Sequence, residues 1–494
     1  MRQVFVFSVM LVLSMQLHAE EELDFITLDR ETYRYYQEQK WDSLIDLGKD
    51  GLKLGFDYYY LRYRMGVAYY ELQNFGRAIV HFEKAHEFNS TENSLLVYLY
   101  YANRRLNRNN QAELFAGQLP ENYRDKLIGY DPDFIDHVYI ESGYGFSDDE
   151  HKMGKPDERW TDSSLYLEEQ FVGNSLYAHA GLKFNPGRRV SAYLGFSHLR
   201  IESRKDFMYY GDLQLDSIVG NTYTDDYYYS YKRGLRSFNA DIAQSDLYLK
   251  LDVMAGRNWS FSPYLHFIRV DYSKIDVEYE AVADKAIEYY DKINFRYDYF
   301  DYIKNEYSFS RKDSTMYDYV SGLNVSGIFS NYSLSLGAGL SKLNFNKRLN
   351  LNAGITYYPL GNLNFYGSTG LSWFSAYDQQ TDDPDKLIVS QMIGLKVFSF
   401  LWLEATYLQG DINNTYRNNA FVVYNVPDKI DYIAEADIIM TLSEKMELSL
   451  RYQFWKKRAD MLHYYQKSDE SPASELLEKS YTNQMIMGGL KWKF

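Results

Sequence analysis

Apolar and polar residues alternate with a period of two from about residue 133 to the end of the chain. In the last segment Ile486, Leu490 and Trp492 fall on one face, whereas Lys491 and Lys493 fall on the other. The same alternation recurs in segments 246–253, 401–407 and 447–454. Strands of about ten residues with one apolar and one polar face form membrane barrels, whereas a soluble β-sandwich uses shorter strands. The pattern therefore predicts a transmembrane antiparallel β-barrel over residues 129–494.

The number of strands follows from the connections between them. Short turns are predicted at 185–187, 256–258, 330–331, 359–362, 399 and 443–445. Longer polar stretches are predicted as outward loops at 147–161, 204–236, 280–304, 344–348, 377–385, 412–419 and 464–479. Turns and loops alternate, which gives about fourteen strands if 163–184 is one long or bulged strand. If Val172-Gly173-Asn174 is a turn instead, two more strands are needed and the count becomes sixteen.

Residues 25–127 do not follow the period of two and are predicted to form helices. Small and aromatic residues stand where two antiparallel helices would interlock, at Gly66, Tyr69, Phe75, Ala78, Phe82 and Ala85. A step of about 34 residues from this set leads back to Trp41, Leu44 and Gly48 and forward to Ala112. This spacing resembles the tetratricopeptide-repeat (TPR) family over most of the helical region. The resemblance implies a short helical solenoid whose concave face holds a peptide or partner protein; the alternative is a spacer or support.

The N-terminus predicts export from the cytoplasm. Arg2 precedes an apolar run from Val4 to Leu17, and His18-Ala19 and an acidic stretch follow. This is the order of a signal peptide, with a small residue at the cleavage position. We therefore divide the chain, an α+β multidomain protein, into a signal peptide at 1–19, helical repeats at 20–128 and the barrel at 129–494. The repeats are expected in the periplasm and the barrel in the outer membrane of a Gram-negative cell.

Composition removes several function classes. The net charge of −15 argues against nucleic acid as a partner, because phosphate backbones select basic surfaces. The absence of Cys excludes disulfides, thiolate zinc sites and cysteine nucleophiles. His81 and His86 are five residues apart, which does not place both on one helical face, so they are interpreted as repeat surface rather than a metal site. No cofactor is expected.

Catalytic chemistry is not predicted either. His137, His179, His198 and His266 of the barrel could pair with a serine, but nothing local marks a nucleophile. The chain is therefore expected not to be an enzyme.

Two sets of barrel residues are candidates for a role in function. By the alternation, charged side chains point into the lumen at Lys250, Asp252, Glu404, Glu435, Asp437, Glu447, Arg451, Lys491 and Lys493. They either pair with one another across a narrow lumen or line a selective channel. The second set is the Tyr-rich stretches 223–231 and 289–302. These form either contact surfaces for sugars or proteins, or strand extensions whose Tyr side chains pack together.

The alternating last strand that ends on Trp492 and Phe494 resembles the closing strand of Gram-negative outer-membrane barrels. That resemblance implies recognition by the barrel-assembly machinery. The order of a signal peptide, a short repeat array and a barrel resembles surface lipoprotein assembly modulators and exopolysaccharide export porins. It implies an outer-membrane export or assembly component, in which the repeats recruit a periplasmic client and the barrel translocates or displays it. The alternatives are a polysaccharide or solute export pore, and an outer-membrane enzyme or adhesion surface.

Overall fold

The structure, a computed structural model, describes residues 23–130, 134–150, 160, 164–377, 384–467 and 471–494. The predicted signal peptide at 1–19 lies outside these residues. The chain divides into two compact units, one reaching to Tyr130 and including the short segments Phe329–Tyr332 and Tyr358–Leu363, the other comprising the remaining residues. Across the described ranges, no helix combines the length and apolar character needed to cross a membrane.

The N-terminal region contains seven helices within the described residues. They are α1 Phe25–Gln37, α2 Trp41–Lys53, α3 Tyr59–Glu71, α4 Phe75–Phe88, α5 Asn93–Arg105, α6 Asn109–Ala116 and α7 Glu121–Arg124. The first helices of three successive pairs begin at Phe25, Tyr59 and Asn93, and their partners begin at Trp41, Phe75 and Asn109, so both sets advance along the chain by one constant step. The residue that turns each pair is left-handed, with φ of 55° at Gln39, 58° at Gln73 and 56° at Asn107. The three pairs thus repeat one backbone geometry.

The residues singled out for helix packing lie in the core of this region. Ala78, Phe82 and Ala85 have no exposed surface, and Tyr69 and Phe75 are buried. Gly66 is needed for close approach, because a Cβ there would come within 2.5 Å of the Phe82 ring. The ring of Phe82 in turn stacks on Tyr98 of the next helix pair, with centroids 5.1 Å apart. Phe82 therefore links α3, α4 and α5.

Replacing Phe82 with Ala is expected to destabilise the helical region by about 3–5 kcal/mol, the usual cost of truncating a fully buried aromatic ring. The loss should appear as a lower midpoint for the thermal loss of the helical circular-dichroism signal of the intact protein. Val80→Ala, on the exposed side of the same helix, is the matched control and should change stability little. Equal effects of the two substitutions would contradict this packing.

The interpretation of His81 and His86 as surface residues is wrong, because the structure buries both. The His81 ring stacks on Tyr69 with centroids 5.3 Å apart, and its Nδ1 lies 3.3 Å from Arg62 Nη1. His86 Nε2 lies 3.1 Å from Gln118 Oε1. Five residues span more than one helical turn, and both side chains are nevertheless covered because neighbouring helices pack on two sides of α4.

Burial lowers the pKa of His81 from its usual 6.5 to about 4. The positive charges of Arg62 and Arg77 lower this pKa as well, whereas the negative charge of Asp57 raises it. A lowered folded-state pKa means that the unfolded chain binds the proton more readily. Stability is therefore fully present above pH 6.5 and is lost as the pH falls toward 4. The helical melt should lose about 2 kcal/mol between pH 7.5 and 5. His81→Gln should show a smaller loss, and an equal loss in both proteins would argue against this assignment.

The C-terminal region forms one antiparallel sheet that closes on itself. Its strands and the small inner hairpin β13–β14 are β1 Ile135–Ser147, β2 Ser164–Gly187, β3 Val190–Gly220, β4 Thr224–Asn239, β5 Ile242–Ala255, β6 Trp259–Asp291, β7 Arg296–Ile328, β8 Tyr332–Leu343, β9 Asn346–Tyr357, β10 Phe365–Ala376, β11 Lys386–Phe398, β12 Leu401–Gln409, β13 Thr415–Arg417, β14 Val422–Tyr424, β15 Lys429–Thr441, β16 Met446–Gln466 and β17 Pro472–Lys493. β17 pairs with β16 on one side and with β1 on the other, which closes the ring.

Fourteen of these strands form the ring, as the turn pattern predicts. The ring runs β1, β2, β3, β5–β12, β15, β16 and β17, while β4 pairs only with the second half of β3, from Arg204 to Gly220, and with the end of β6. Residues 164–187 are one strand, β2, whose pairing with β3 shifts between Val172 and Ser175. The alternative turn at Val172-Gly173-Asn174 is wrong, and with it the count of sixteen, because a bulge absorbs the irregular residues without reversing the chain.

Three of the predicted loops are strand extensions in the structure. β6 and β7 each run for 33 residues and pair up to Asp291 and Arg296, so most of 280–304 is strand. Residues 204–236 and 464–479 likewise lie mainly in β3–β4 and β16–β17. The Tyr side chains pack on one another, as at Tyr290 and Tyr297, whose rings are 4.5 Å apart. Cross-strand aromatic pairs stabilise a sheet, which explains how these polar stretches stay extended.

Candidate functional site in the barrel lumen

The connection between β12 and β15 is folded into the barrel. We refer to residues 411–428 as the inward segment. Its central part was predicted as an outward polar loop at 412–419, and the structure corrects this. Ile412, Tyr416, Ala420 and Tyr424 are buried in one cluster with strand residues such as Tyr248 and Tyr264. The backbone is left-handed at Asn414, Asn418, Asn419 and Ala420, which lets so short a segment turn sharply and form the β13–β14 hairpin.

The inward segment reaches the far wall of the barrel. Six ring strands separate β5 from β12 in either direction, so β5 and β6 stand opposite the strands from which the segment starts and to which it returns. Tyr248 of β5 donates from Oη to Asn419 O at 3.0 Å, and His266 Nδ1 of β6 lies 2.5 Å from Ala420 O. Tyr248 alternates with the exposed residues Leu247 and Leu249 and therefore faces the lumen. The segment thus spans the whole lumen.

Other strands hold the segment on its remaining sides. Lys386 Nζ of β11 donates to Asn413 O at 2.9 Å and lies 3.1 Å from Asp411 Oδ2. Asn425 Nδ2 donates to Asp318 Oδ2 of β7 at 3.1 Å. The asparagines whose abundance predicts a solvated loop are therefore hydrogen-bonded inside the lumen instead.

A cavity of about 440 Å³ adjoins the inward segment. Uncharged amide and hydroxyl side chains dominate its wall, together with two aromatic rings and a small group of charged residues. The lining residues with polar or aromatic side chains are Asn324, Ser335, Asn350, Asn352, Ser368, Thr369, Ser372, Ser390, Glu404, Thr406, Tyr416, Arg417, Asn418, Asn419, Phe421, Glu435, Asp437 and Arg451.

The two arginines of the cavity wall, Arg417 and Arg451, pair with buried carboxylates. Arg451 Nε donates to Asp437 Oδ1 at 2.5 Å, and Arg451 Nη1 lies 3.5 Å from Glu141 Oε1. Arg417 of the inward segment binds both carboxylate oxygens of Glu435, which ties the segment to β15. Asp437, Glu435 and Glu141 are nearly covered from solvent. Carboxylates in such a place need these partners, because an unpaired buried charge is costly.

The nine candidate lumen residues fall into two groups. Glu404, Glu435, Asp437 and Arg451 line the cavity, and Glu404 also accepts a hydrogen bond from Tyr366. The other five are not part of its lining. Lys250 Nζ lies 2.9 Å from Asp252, Lys491 Nζ lies 3.1 Å from Glu447, and Lys493 is the cross-strand partner of His137.

Sequence reasoning missed Glu141, Arg417 and the uncharged wall. Arg417 was missed because it lies in a stretch that is predicted to be a loop. The Asn and Ser side chains of the wall were missed because they do not stand out in the alternation of apolar and polar residues. The one available hint is the apolar run at 420–423, which would be unusual on a solvated loop.

Trp492, whose partners in the ring are Val138 and Met446, is 45% exposed, and Phe494 is 43% exposed. Among the described residues, no group of three or more acidic, His or Cys side chains could hold a metal ion.

No protein-family model and no curated protein sequence matches the chain. Among solved structures, the toluene transporter TodX of Pseudomonas putida shows 8% identity and a TM-score of 0.37 over 74% of this chain and 92% of its own. A FadL homologue of Pseudomonas aeruginosa shows 9% identity and a TM-score of 0.40 over 73% and 90%. The translocator domain of the autotransporter NalP of Neisseria meningitidis shows 8% and 0.27 over 80% and 100%.

Proposed function

We propose that the chain is an outer-membrane export or assembly component, whose barrel is a gated passage closed by the inward segment. The observation that carries this proposal is the span of the segment from β12 and β15 to β5 and β6 on the opposite wall. Side chains alone fill the lumen of a barrel of about eight strands, whereas this ring of fourteen strands is wider and needs a further element to close it. A gated passage also needs a closing element that can move out of the lumen.

The membrane placement rests on the outer face of the ring. Leu247, Leu403, Leu450, Phe267 and Ile486 are each 40–52% exposed. These apolar side chains alternate along their strands with polar ones that face inward, which is the arrangement that a lipid surround stabilises. In the proposal, lipid of the outer membrane covers this belt, and Trp492 and Phe494 belong to the signal that the barrel-assembly machinery recognises.

The helical region is proposed to be a TPR-like array in the periplasm that recruits the client. Its support is the constant step between equivalent helices, with equivalent buried positions at Leu44, Ala78 and Ala112. Stacked repeats bury the faces between neighbours and leave the concave side free for a partner. The client is a periplasmic protein or polymer.

A photo-crosslinking amino acid at Tyr60 of α3, which is 60% exposed, tests recruitment in cells. The proposal predicts a discrete adduct with a periplasmic component at this position. The matched control is the same crosslinker at Tyr279 of β6, which is 57% exposed. Adducts of the same identity at both positions, or none at Tyr60, would contradict specific recruitment.

A second candidate function is a pore for a polar solute such as an oligosaccharide. The observation in its favour is the cavity wall, where amide and hydroxyl groups outnumber charges and can exchange hydrogen bonds with hydroxyl-rich molecules. Liposome swelling distinguishes the two: a solute pore admits neutral oligosaccharides into liposomes that contain the intact protein and no client.

A further inference from the structure

Three polar side chains from three strands form a continuous hydrogen-bonded chain away from the lumen cavity. Ser164 Oγ of β2 lies 2.9 Å from His463 Nε2 of β16, and His463 Nδ1 lies 2.9 Å from Glu475 Oε1 of β17. His463 and Glu475 lie side by side because the register of β16 and β17 makes them direct cross-strand partners. β2 pairs with β16 over the short stretch from Leu462 to Tyr465, where a one-residue shift sets Ser164 opposite Tyr465.

The hydrogen-bonding capacity of the three groups fixes the direction of the chain. A carboxylate only accepts hydrogen bonds, so the contact with Glu475 places the imidazole proton on His463 Nδ1. Nε2 then carries the lone pair and accepts from the Ser164 hydroxyl. This is the arrangement in which a histidine removes the proton of a serine nucleophile while an acid orients the ring.

Two other serine–histidine contacts in the barrel lack this arrangement. His179 lies 3.2 Å from Ser197 Oγ, but its other ring nitrogen lies 2.8 Å from Tyr193 Oη, which can donate as well as accept. His198 Nδ1 lies 3.0 Å from Ser245 Oγ, and its side chain is exposed. Neither histidine is oriented by a carboxylate, so these pairs serve as internal controls.

We propose that Ser164, His463 and Glu475 form a hydrolytic site for a carboxylic ester, a function distinct from transport. Ser164 Oγ attacks the ester carbonyl carbon while its proton passes to His463 Nε2. The tetrahedral intermediate collapses with cleavage of the carbon–oxygen bond, and the leaving alkoxide takes that proton from Nε2 and departs as the alcohol. Water then attacks the acyl-Ser164 with His463 as base, which releases the carboxylic acid and restores the serine.

The surroundings define the substrate class. Ser164 has no exposed surface and His463 is 5% exposed, so a substrate reaches Ser164 Oγ only when the outer ends of β2 and β16 move apart. His463 is also the eighteenth residue of the 21-residue strand β16, whereas a strand crosses a bilayer in about 9–11 residues. The substrate is therefore an ester presented in water beyond the membrane, such as an acetylated sugar, and not the acyl chain of a membrane lipid.

Covalent labelling of the folded, full-length protein with diisopropyl fluorophosphate tests the site. We expect the peptide that contains Ser164 to gain the phosphoryl adduct and the protein to hydrolyse p-nitrophenyl acetate. His463→Gln should slow both reactions by about 10²–10⁴-fold, the usual contribution of a general base. Glu475 is a positioning residue, so Glu475→Gln should slow labelling, whereas Glu475→Asp should restore part of the rate.

Ser197→Ala removes a serine that contacts a histidine without a carboxylate and should leave labelling unchanged. The heat-dependent gel mobility of folded barrels verifies that each variant has folded. The adduct is mapped on the wild-type protein, so this part of the test remains informative even if a variant does not fold. Absence of an adduct on Ser164 in folded protein, or equal labelling rates for His463→Gln and the wild type, would overturn the proposal.

Discussion

Replacing residues 411–428 with a four-residue Gly-Ser turn is expected to expose the lumen to reagents from outside. A short turn suffices because Gln409 and Tyr432 face each other in the β12–β15 ladder. The chain has no Cys, so a single cysteine at Ser372 in the cavity wall reports access without background. If the intact segment opens only as a minor state, populated to about 0.1–10%, its removal should speed labelling by an impermeant maleimide about 10–1,000-fold.

A cysteine at Asn294, in the exposed turn between β6 and β7, is the control for reagent and protein quality. It should react at the same rate with and without the segment. If Ser372→Cys also reacts at one rate in both backgrounds, the segment does not close the lumen.

Replacing Arg451 with Ala is expected to cost the barrel about 3–5 kcal/mol of unfolding free energy. The change leaves Asp437 and Glu141 nearly covered without their shared guanidinium, and removal of one partner from a buried charge pair is strongly destabilising. Urea unfolding of the refolded protein in micelles, followed by tryptophan fluorescence, measures the loss.

Lys285→Ala is the comparison for Arg451→Ala. Lys285 lies 3.2 Å from Asp301, and both side chains are mostly exposed. Such a surface pair contributes only about 0–1 kcal/mol. We expect the unfolding midpoint of Arg451→Ala to lie clearly below that of Lys285→Ala, and similar midpoints would show that Arg451 does not stabilise the buried carboxylates.

The strand count could be derived from sequence because turns and loops obey parity. Each tight turn or polar stretch reverses the chain once, so a single ambiguous stretch such as 172–174 changes the count by a whole hairpin. The helical pairs could also be predicted from sequence, because one repeat length separates buried positions such as Ala78 and Ala112. Both signals are local patterns repeated along the chain.

The lumen site could not be derived in the same way, because its residues meet only through the closed ring. Asn413 and Asn414 have the composition of a solvated loop, yet they contact Lys386 and Asn344. Burial of amides is tolerated there because the wall supplies partners. The chain of Ser164, His463 and Glu475 joins residues 299 positions apart, and only the register of β2, β16 and β17 brings them together.

Planar-bilayer conductance of the intact protein, compared with the variant that lacks residues 411–428, tests the gated passage most directly. We expect no steady current through the intact protein and a stable open channel through the variant. A steady open channel through the intact protein would contradict closure by the inward segment. Silence of a folded variant would contradict the existence of a passage behind it.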